Sequence, residues 1–404
     1  MPAAHTVRYT SSTAIPAGTG GTHQLAREFK ELRPAYGFDD VAIVPGDITI
    51  NPELVDISTS FDGVKMEIPF MASAMDSVVD TKFAIEMTRA GGLAVMNMDG
   101  IHSRYEDTDA VYQEIAETPR EHATALLQKL YSQPVREDLV GKRVEEIKNG
   151  GGTAAVSFVP ASTKKLAPLA VEAGADVIVV QGTVVTVRHT SRSIEGLVLN
   201  RIVEQLKVPV IVGNTVSYDV TKEMMAQGVM GVLVGVGPGS ACTSREVLGI
   251  GVPQVSATIE CAAARDDFFE ETGKYIPIIT DGGIRTGGDV CKAFAAGADA
   301  VMLGSPLAKT QEAPAHGNHW GMATPHASLP RGTRLSVGTQ YSLHQLLFGP
   351  SSRTDGTENL VGALRVSMGY VGAENIREMH SARMVYAPAI KTEGKIYQMA
   401  GLGS

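Results

Sequence analysis

The stretch Ala296-Gly-Ala-Asp-Ala-Val-Met-Leu-Gly-Ser305 contains the unit from which most of the chain is built. A glycine closes a helical segment, a short apolar run follows, and a Gly-Ser pair ends the run. Glycine after a helix adopts positive φ and turns the chain back. A continuously apolar run is typical of a parallel strand buried on both faces. The stretch therefore predicts a helix followed by a buried strand, as in β/α units.

The same unit recurs along the chain. Ala-Gly or Gln-Gly pairs at 90–91, 173–174 and 227–228 also stand just before apolar runs. The eight predicted strands are Pro69–Met75, Leu93–Met98, Thr153–Phe158, Ala175–Gly182, Pro209–Asn214, Gly231–Gly237, Pro277–Gly283 and Ala300–Ser305. Eight β/α units in sequence favour an α/β fold of the (β/α)8 TIM barrel type, with a doubly wound open sheet as the alternative.

Two segments interrupt this pattern. Ser103–Gly152 is longer than one crossover needs, and its helical stretches predict an addition to the barrel rather than a second domain. After the eighth strand, Ala308–Thr357 is rich in Gly, Pro, His and Ser and predicts a long flap. We therefore expect a disordered tail over 1–22, a single catalytic barrel over 23–385 without an inserted regulatory domain, and a C-terminal extension over 386–404.

Composition limits the partners and the compartment. The net charge of −9 argues against a nucleic-acid polymer or an anionic membrane as the main partner. The N-terminal residues contain no long apolar run, so they resemble neither a secretory signal nor a membrane span. Three widely spaced cysteines argue against a disulfide framework and favour a reducing, cytoplasmic location.

Cys242 stands in an unusual loop, Gly235-Val-Gly-Pro-Gly-Ser-Ala-Cys-Thr-Ser-Arg245. Three glycines and a proline in five positions end the preceding strand and predict special backbone geometry. A cysteine in isolation is more often a small buried hydrophobe, and this is our interpretation of Cys261 and Cys291. The glycine loop and the nearby Arg245 predict instead that Cys242 is a reactive nucleophile.

Glycine motifs follow the seventh and eighth predicted strands, where barrels commonly hold phosphates. The amides of Gly283, Gly304 and Ser305 can cradle a phosphate, and Asp281 is placed to accept hydrogen bonds from ribose hydroxyls. A simple tight turn is the alternative explanation of Asp281-Gly-Gly283.

Two further groups of residues lie outside the regular pattern. Met75 and Met322 lie outside helical patterns, and we consider them candidate purine contacts. The histidines of the long flap, His316, His319 and His326, lack metal-ligand spacing, and we expect them at the surface, with contact of one of them to a ligand as the alternative.

These motifs resemble those of the IMP dehydrogenase / GMP reductase family. The resemblance covers roughly residues 34–385 and is carried by Gly235–Arg245, Gly251-Val-Pro-Gln254, Asp281–Asp289, Gly297–Ser305, Gln311-Glu-Ala-Pro314 and Met368-Gly-Tyr-Val-Gly372. Phe38-Asp-Asp-Val and Ser73-Ala-Met-Asp76 also fit. In that family a barrel binds a purine nucleotide, the loop cysteine attacks purine C2, and a nicotinamide cofactor exchanges hydride there.

The resemblance implies roles for individual residues. Cys242 is the implied nucleophile, and Ser244, Arg331 and Arg334 are further catalytic candidates. The implied nucleotide contacts are Ser73, Met75, Ser240, Asp281, Gly283, Gly304, Ser305, Gly321 and Met322. Gln181 and Asn214 match positions near the nicotinamide cofactor. The backbone carbonyls of Gly237, Gly239 and Cys242 match a potassium site. The resemblance also implies a homotetramer or a larger homo-oligomer.

The sequence departs from the family's dehydrogenases in informative places. Gln181 stands where an Asp is usual, and His319 stands where a Tyr is common. Only Ser103–Gly152 occupies the place of the regulatory modules, and the Arg-Tyr pair that activates water is not recognisable in Pro325–Thr357.

We favour an NAD-dependent IMP dehydrogenase that oxidises IMP to XMP. A GMP reductase that converts GMP to IMP with NADPH is the first alternative, and a purine-nucleotide-binding protein without catalysis is the second. A flavin-binding barrel would hold a phosphate at the same place but would not need Cys242.

Overall fold

The computed structural model describes residues 32–190, 197–322 and 334–388. The chain divides into two units, Met1–Pro34 and Ala35–Ser404, and the described part of the second unit contains every element below. The tail predicted over 1–22 lies outside the described residues, as do residues 389–404 of the predicted extension.

Strands and helices alternate through most of the described chain. The strands are β1 (Val41–Ile43), β2 (Thr59–Phe61), β3 (Val64–Met66), β4 (Phe70–Ala72), β5 (Leu93–Asn97), β6 (Ala155–Phe158), β7 (Val177–Gln181), β8 (Val210–Thr215), β9 (Gly231–Val234), β10 (Ile278–Asp281), β11 (Ala300–Leu303), β12 (Asn318–His319), β13 (Leu335–Ser336) and β14 (Met384–Tyr386). The helices are α1 (Thr81–Arg89), α2 (Thr108–Glu117), α3 (Arg120–Tyr131), α4 (Glu137–Asn149), α5 (Pro160–Glu172), α6 (Leu199–Leu206), α7 (Tyr218–Met225), α8 (Ser244–Leu248), α9 (Gln254–Thr272), α10 (Gly287–Ala295), α11 (Ser305–Ala308), α12 (Leu343–Phe348), α13 (Leu360–Val371) and α14 (Ile376–Met379). Short 3-10 helices cover Phe38–Asp40 and Pro52–Leu54.

The strands β4 to β11 form a closed barrel in which each neighbouring pair is parallel. The strands follow one another around the barrel in chain order, and β11 closes the ring by pairing with β4. Each barrel strand overlaps one of the eight predicted runs, and β8 alone extends beyond its run, by one residue to Thr215. The predicted (β/α)8 TIM barrel is therefore confirmed, and the open sheet is excluded.

The four glycines that mark the repeat have the backbone geometry the pattern predicts. Gly91, Gly174, Gly228 and Gly297 have φ of +83°, +99°, +85° and +108°. An L side chain is strained in this region, whereas glycine is not. These glycines turn the chain from the end of a helix into the next barrel strand.

The barrel interior is a packed apolar cluster rather than a channel. Met71, Val95, Val179 and Ile279 belong to it, together with residues of the other strands. Phe61 of the β2–β3 hairpin belongs to the same cluster and lies close to Gly231, the first residue of β9. The hairpin thus closes the amino-terminal end of the barrel, and the carboxyl end is left for a ligand.

Elements outside the barrel extend it at two places. The predicted addition between the second and third barrel strands contains α2, α3 and α4, and β1 pairs antiparallel with β14. Among the residues that the structure describes, none of the helices combines the length and apolar character that a bilayer crossing requires.

Candidate active site

A cavity of about 900 Å³ opens at the carboxyl ends of the barrel strands. This volume lies in the upper part of the range of roughly 300–1,000 Å³ that is typical of ligand pockets. Every barrel strand contributes a residue at or just after its end: Ser73, Asn97, Ser157, Gln181, Asn214, Gly235, Asp281 and Gly304. In barrel enzymes the chemistry occurs at this end, so the cavity is the candidate active site.

Most of the site residues predicted from the sequence lie in this cavity. The predicted residues that line it are Ser73, Met75, Gln181, Asn214, Gly237, Gly239, Ser240, Cys242, Asp281, Gly283, Gly304, Ser305, Gly321 and Met322. Residues separated by more than two hundred positions in the chain are therefore neighbours in space.

The Cys242 thiol is partly exposed in the cavity. Its Sγ donates to Oγ of Ser244 at 3.3 Å, and its backbone N–H donates to the carbonyl of Gly239 at 3.0 Å. Ser244 itself is buried at the start of α8. The two hydrogen bonds hold the cysteine at the surface of a tight turn, where a ligand can reach the thiol.

Arg245 packs against the backbone of the cysteine loop. Its guanidinium donates to the carbonyl of Val252 at 2.9 Å. A Cβ on Gly237, which has φ of +76°, would lie 2.8 Å from Cγ of Arg245, and a Cβ on Gly251 would lie equally close. The sequence suggested that this cation activates the thiol. The structure places it against Gly237 and Gly251, where it packs the cysteine loop, and the activating role stays a prediction.

Cys261 and Cys291 are buried, which confirms their interpretation as core residues. Burial raises the pKa of Cys261 to about 12 and that of Cys291 to about 11. Both thiols therefore stay protonated at neutral pH, unlike a catalytic cysteine.

A chain of hydroxyl groups connects the cysteine loop to His319. Ser240 Oγ and Ser305 Oγ share a hydrogen bond of 2.6 Å, and Ser305 Oγ lies 3.1 Å from Nε2 of His319. Nδ1 of His319 lies 2.9 Å from Oγ of Ser77. Both ring nitrogens of His319 therefore have hydroxyl partners, Ser305 at the cavity and Ser77 in the interior.

The expectation that His319 is a surface residue is wrong. Its side chain is 1% exposed and lines the cavity, because β12 carries it under the start of α11. Burial and the nearby Lys309 lower the pKa of His319 to about 4, so the ring is neutral at pH 7. His316 is exposed as expected, and His326 lies outside the described residues.

The carboxylate of Asp281 lies at the centre of a polar cluster at the end of β10. Its Oδ2 accepts from Nδ2 of Asn214 at 2.8 Å and from Nε2 of Gln181 at 3.1 Å. Burial raises the pKa of Asp281 to about 6, against the opposing effect of hydrogen bonds from Asn214, Ser73 and Gln181. The two amides orient the carboxylate, which lines the cavity.

Gln181 and Asn214 were expected near a nicotinamide from the resemblance. Gln181 also donates to Oδ1 of Asn214 at 3.2 Å. Both side chains line the cavity and contact Asp281. Each of the two amides therefore contacts Asp281, the carboxylate expected to bind the ribose. Both amides also line the part of the cavity next to Asp281.

The turn after β10 packs against the cysteine loop. Gly282 and Gly283 have φ of +85° and +77°, and a Cβ on Gly283 would lie 3.1 Å from Cβ of Pro238. The tight-turn explanation of Asp281-Gly-Gly283 therefore does not compete with a binding role. The turn brings the backbone of Gly283 to the cavity wall.

The phosphate cradle predicted from the sequence is completed by the start of α11. Ser305 begins this helix and Gly304 is its N-cap residue. The first N–H groups of a helix have no partner within the helix. Gly304 and Ser305 line the cavity together with Gly283, and backbone amides at such a position can bind an anion.

The potassium site remains an expectation from the resemblance. Gly237, Gly239 and Cys242 lie within one turn, and backbone carbonyls are suitable ligands for this ion. The Gly239 carbonyl already accepts the Cys242 N–H, but a carbonyl oxygen has a second lone pair. The donor set therefore fits a monovalent cation. Across the described ranges no cluster of three or more His, Cys, Asp or Glu side chains suits a metal.

Of the two flap arginines, the structure describes Arg334, which does not line the cavity. Arg331 lies outside the described residues. The guanidinium of Arg334 donates to the carbonyls of Ile115 and Ala116 at the end of α2. The cavity therefore lacks an arginine from the described part of the flap.

Sequence reasoning also missed Asn97 and Arg104, which line the cavity beside β5. Asn97 is the last residue of an apolar strand, and a polar residue at that position was the available signal. Arg104 lies in an irregular segment where the sequence pattern carries no such signal.

The sequence is similar to those of known proteins over most of its length. The family model described as "IMP dehydrogenase / GMP reductase domain" matches residues 35–323. An uncharacterized oxidoreductase of Mycobacterium leprae is 40% identical over 90% of this chain and 98% of its own length. An inosine-5'-monophosphate dehydrogenase of Cryptosporidium parvum is 32% identical over 87% of this chain and 91% of its own.

A solved structure is similar throughout the fold. The crystal structure of an IMP dehydrogenase/GMP reductase-like protein from Corynebacterium glutamicum superposes with a TM-score of 0.84 at 34% sequence identity. The similarity covers 89% of this chain and 96% of that protein.

Proposed function

The chain belongs to the IMP dehydrogenase / GMP reductase family, and on this premise we propose that it oxidises IMP to XMP with NAD. The observation that supports the proposal best is that the Cys242 thiol shares one cavity with Asp281 and the amides of Gly304 and Ser305. A nucleophile, a ribose acceptor and a phosphate cradle in one cavity suit covalent chemistry on a mononucleotide.

In the proposed complex the nucleotide phosphate binds the backbone amides of Gly283, Gly304 and Ser305. The carboxylate of Asp281 accepts hydrogen bonds from the ribose hydroxyls. Met75, whose Sδ lies close to Gly304, contacts the base from one side, and Met322 contacts it from another. This arrangement places purine C2 towards the cysteine loop.

The proposed reaction has two steps. In the first, the Cys242 thiol loses its proton to solvent, Sγ forms a bond to C2 of IMP, and the hydrogen at C2 leaves as hydride to the nicotinamide acceptor. In the second, water adds to C2, the carbon–sulfur bond breaks and XMP is released. Covalent catalysis separates oxidation from hydrolysis, so one cysteine serves both steps. Ser244, which accepts the thiol's hydrogen bond, orients Sγ before attack.

NAD would supply the hydride acceptor in the half of the cavity formed by the ends of β5 to β8. Gln181 and Asn214 lie at the border between this half and Asp281. A potassium ion bound by the carbonyls of Gly237, Gly239 and Cys242 would stabilise the conformation of the cysteine loop. NAD and potassium are both part of the proposal.

Reductive deamination of GMP with NADPH is the second candidate function. Hydrolysis of the covalent intermediate needs a base that activates water. Arg334, a candidate for that role, contacts the carbonyls of Ile115 and Ala116 instead. A reductase, in which C2 loses ammonia and accepts hydride, has no hydrolytic step and would not need that arginine.

A pair of assays decides between the candidates. The protein is mixed with IMP and NAD, and separately with GMP and NADPH, while the nicotinamide absorbance is followed. We expect NADH to form in the first mixture and NADPH to persist in the second. NADPH consumption in the second mixture alone would establish the reductase. Silence in both mixtures, with nucleotide binding retained, would identify a binding protein without catalysis.

A further inference from the structure

We infer that Tyr131, on helix α3, is a positioning residue that holds the segment Trp320–Met322 against the bound nucleotide. The inference rests on the proposed function, because it assigns Met322 to the purine. It also gives a role to α2 and α3, the helices that the sequence predicts as a mere addition to the barrel.

The first observation is a buried carboxylate beside the nucleotide site. Asp76 follows the predicted contact Met75 and is fully buried. Its carboxylate accepts from the backbone N–H of Ile101 at 2.8 Å and from the hydroxyl of Tyr131 at 2.5 Å. A buried carboxylate is stable only with such donors. Tyr131 is thus bound to the loop that carries Ser73 and Met75.

The second observation is that the same hydroxyl contacts the segment after the eighth barrel strand. Nε1 of Trp320 donates to the oxygen of Tyr131 at 2.9 Å. Sδ of Met322 lies 3.5 Å from that oxygen. Trp320 is fully buried, so its indole N–H needs a partner inside the protein. One phenol therefore joins the two segments proposed to contact the purine, at Met75 and at Met322.

The third observation links this segment to the nucleophile. Between Trp320 and Met322, a Cβ on Gly321 would lie 2.3 Å from the carbonyl oxygen of Ala241. The backbone at Gly321 thus lies directly against the residue before Cys242. A shift of Trp320–Met322 would change both the base contact and the space available to the cysteine loop.

The helices α2 and α3 form the support for this arrangement. Residues of both helices pack with Trp320 in one apolar cluster: Val111, Tyr112, Ile115, Leu127, Leu130 and Tyr131, with Ile101 and Ala315. Arg334 donates to the carbonyls at the end of α2. The two helices therefore contact both described flanks of residues 323–333.

The test uses Tyr131→Phe, which keeps the ring and removes the hydroxyl. Tyr105→Phe is the matched control, because its hydroxyl donates to the carbonyl of Leu130 on the same helix without contacting Asp76 or Trp320 in the described structure. Affinities for IMP and for GMP are measured by calorimetry on the wild type and on both variants. We expect Tyr131→Phe to weaken the preferred nucleotide about tenfold, and Tyr105→Phe to weaken it less than twofold.

A spectroscopic readout separates positioning from stability. Trp320 is the single tryptophan of the chain, so intrinsic fluorescence reports on this segment. We expect a red-shifted emission maximum in Tyr131→Phe without nucleotide, and an unshifted maximum in Tyr105→Phe. Equal affinities and equal emission in the two variants would overturn the inference. A wild type that binds neither nucleotide would instead overturn the proposed function, together with the inference that rests on it.

Discussion

The Cys242 thiol lies in the cavity with its hydrogen bonded to Ser244 and its backbone bonded to Gly239. The proposed attack on a purine requires this sulfur atom at a fixed place relative to C2. The loop can adopt this position because residue 235 is a glycine. Gly235 has φ of +146°, and a Cβ there would lie 2.4 Å from the carbonyl oxygen of Asp281. The backbone conformation at Gly235 therefore helps to determine where the Cys242 thiol lies.

We predict that Cys242→Ala lowers turnover by about a thousandfold or more, because no covalent bond to C2 can form. Nucleotide affinity should change by less than about threefold, since the phosphate and ribose contacts remain. Turnover is measured by nicotinamide absorbance and affinity by calorimetry. Cys261→Ala removes a buried cysteine outside the cavity and should keep turnover. Substantial turnover in Cys242→Ala would contradict the covalent mechanism.

A second prediction concerns the pH dependence of nucleotide binding. In the proposed complex Asp281 accepts ribose hydrogen bonds best as a carboxylate, and burial raises its pKa to about 6. Affinity should therefore fall as the pH decreases below about 6. In Asp281→Asn the affinity should be weak and should lack this dependence between pH 5 and 7. An identical pH profile in wild type and variant, measured by calorimetry, would show that another group is responsible.

The same carboxyl group affects stability with a definite sign. The folded protein binds its proton more tightly than the unfolded chain, because the pKa of Asp281 is raised from 3.8 to about 6. Stability should therefore decrease as the pH rises from about 4 to about 6, and the destabilisation is complete above that range. Asp281→Asn should accordingly unfold at no lower temperature than the wild type at pH 7.

At the scale of elements, a buried ion pair connects α9 to the start of β11. Nη1 of Arg265 lies 2.8 Å from Oδ2 of Asp299, and the side chains are 2% and 5% exposed. Asp299 also accepts from the backbone N–H of Ile278 at 2.8 Å and from the hydroxyl of Tyr275 at 2.5 Å. The pair therefore joins a helix to two barrel strands near the Gly297 turn.

We predict that Asp299→Asn lowers the free energy of unfolding by about 3–5 kcal/mol, because it removes the buried carboxylate partner of Arg265 and leaves the largely exposed Asp266 to pair with the guanidinium. Glu86→Gln is the control, since it breaks the exposed Arg89–Glu86 pair and should change stability by less than about 1 kcal/mol. Urea unfolding followed by circular dichroism measures both. Equal effects of the two substitutions would show that burial does not strengthen the Arg265–Asp299 pair.

At the scale of the whole molecule, residues near the two ends of the described chain pair with each other. Strand β1 pairs antiparallel with β14, and the ring of Tyr36 lies 5.1 Å from that of Tyr386. The backbone N–H of Ala387 donates to the carbonyl of Asp40 at 2.8 Å. Segments more than three hundred residues apart in the chain are therefore joined in a small sheet outside the barrel.

Two truncations measure what this pairing contributes. A chain that ends at Pro388 retains β14, whereas a chain that ends at Ala382 loses it. We predict that the shorter chain is less stable than the longer one by about 2 kcal/mol, as expected for the loss of several backbone hydrogen bonds. Thermal unfolding of the two truncated proteins checks this difference. Equal unfolding temperatures would show that the pairing does not stabilise the barrel.

The sequence by itself determined the barrel strands, the glycine turns and the cysteine loop. Each of these depends on residues that are close in the chain. An apolar run such as Ala300–Leu303 specifies a buried strand, and Gly297 specifies the turn before it, whatever the rest of the molecule does. Positions at the ends of barrel strands, such as Asp281 and Gly304, then follow from the architecture.

Only the tertiary structure decided which side chains meet around the cavity. His319 is buried beside Ser305 although its segment has no regular pattern, and Gln181 donates to Asp281 across 100 residues. The contact between Trp320 and Tyr131 spans 189 residues. Such contacts depend on how separate elements pack, and hydrophobic periodicity carries no information about them. The cysteine loop was therefore predictable from the sequence, whereas the contacts of the side chains around it required the fold.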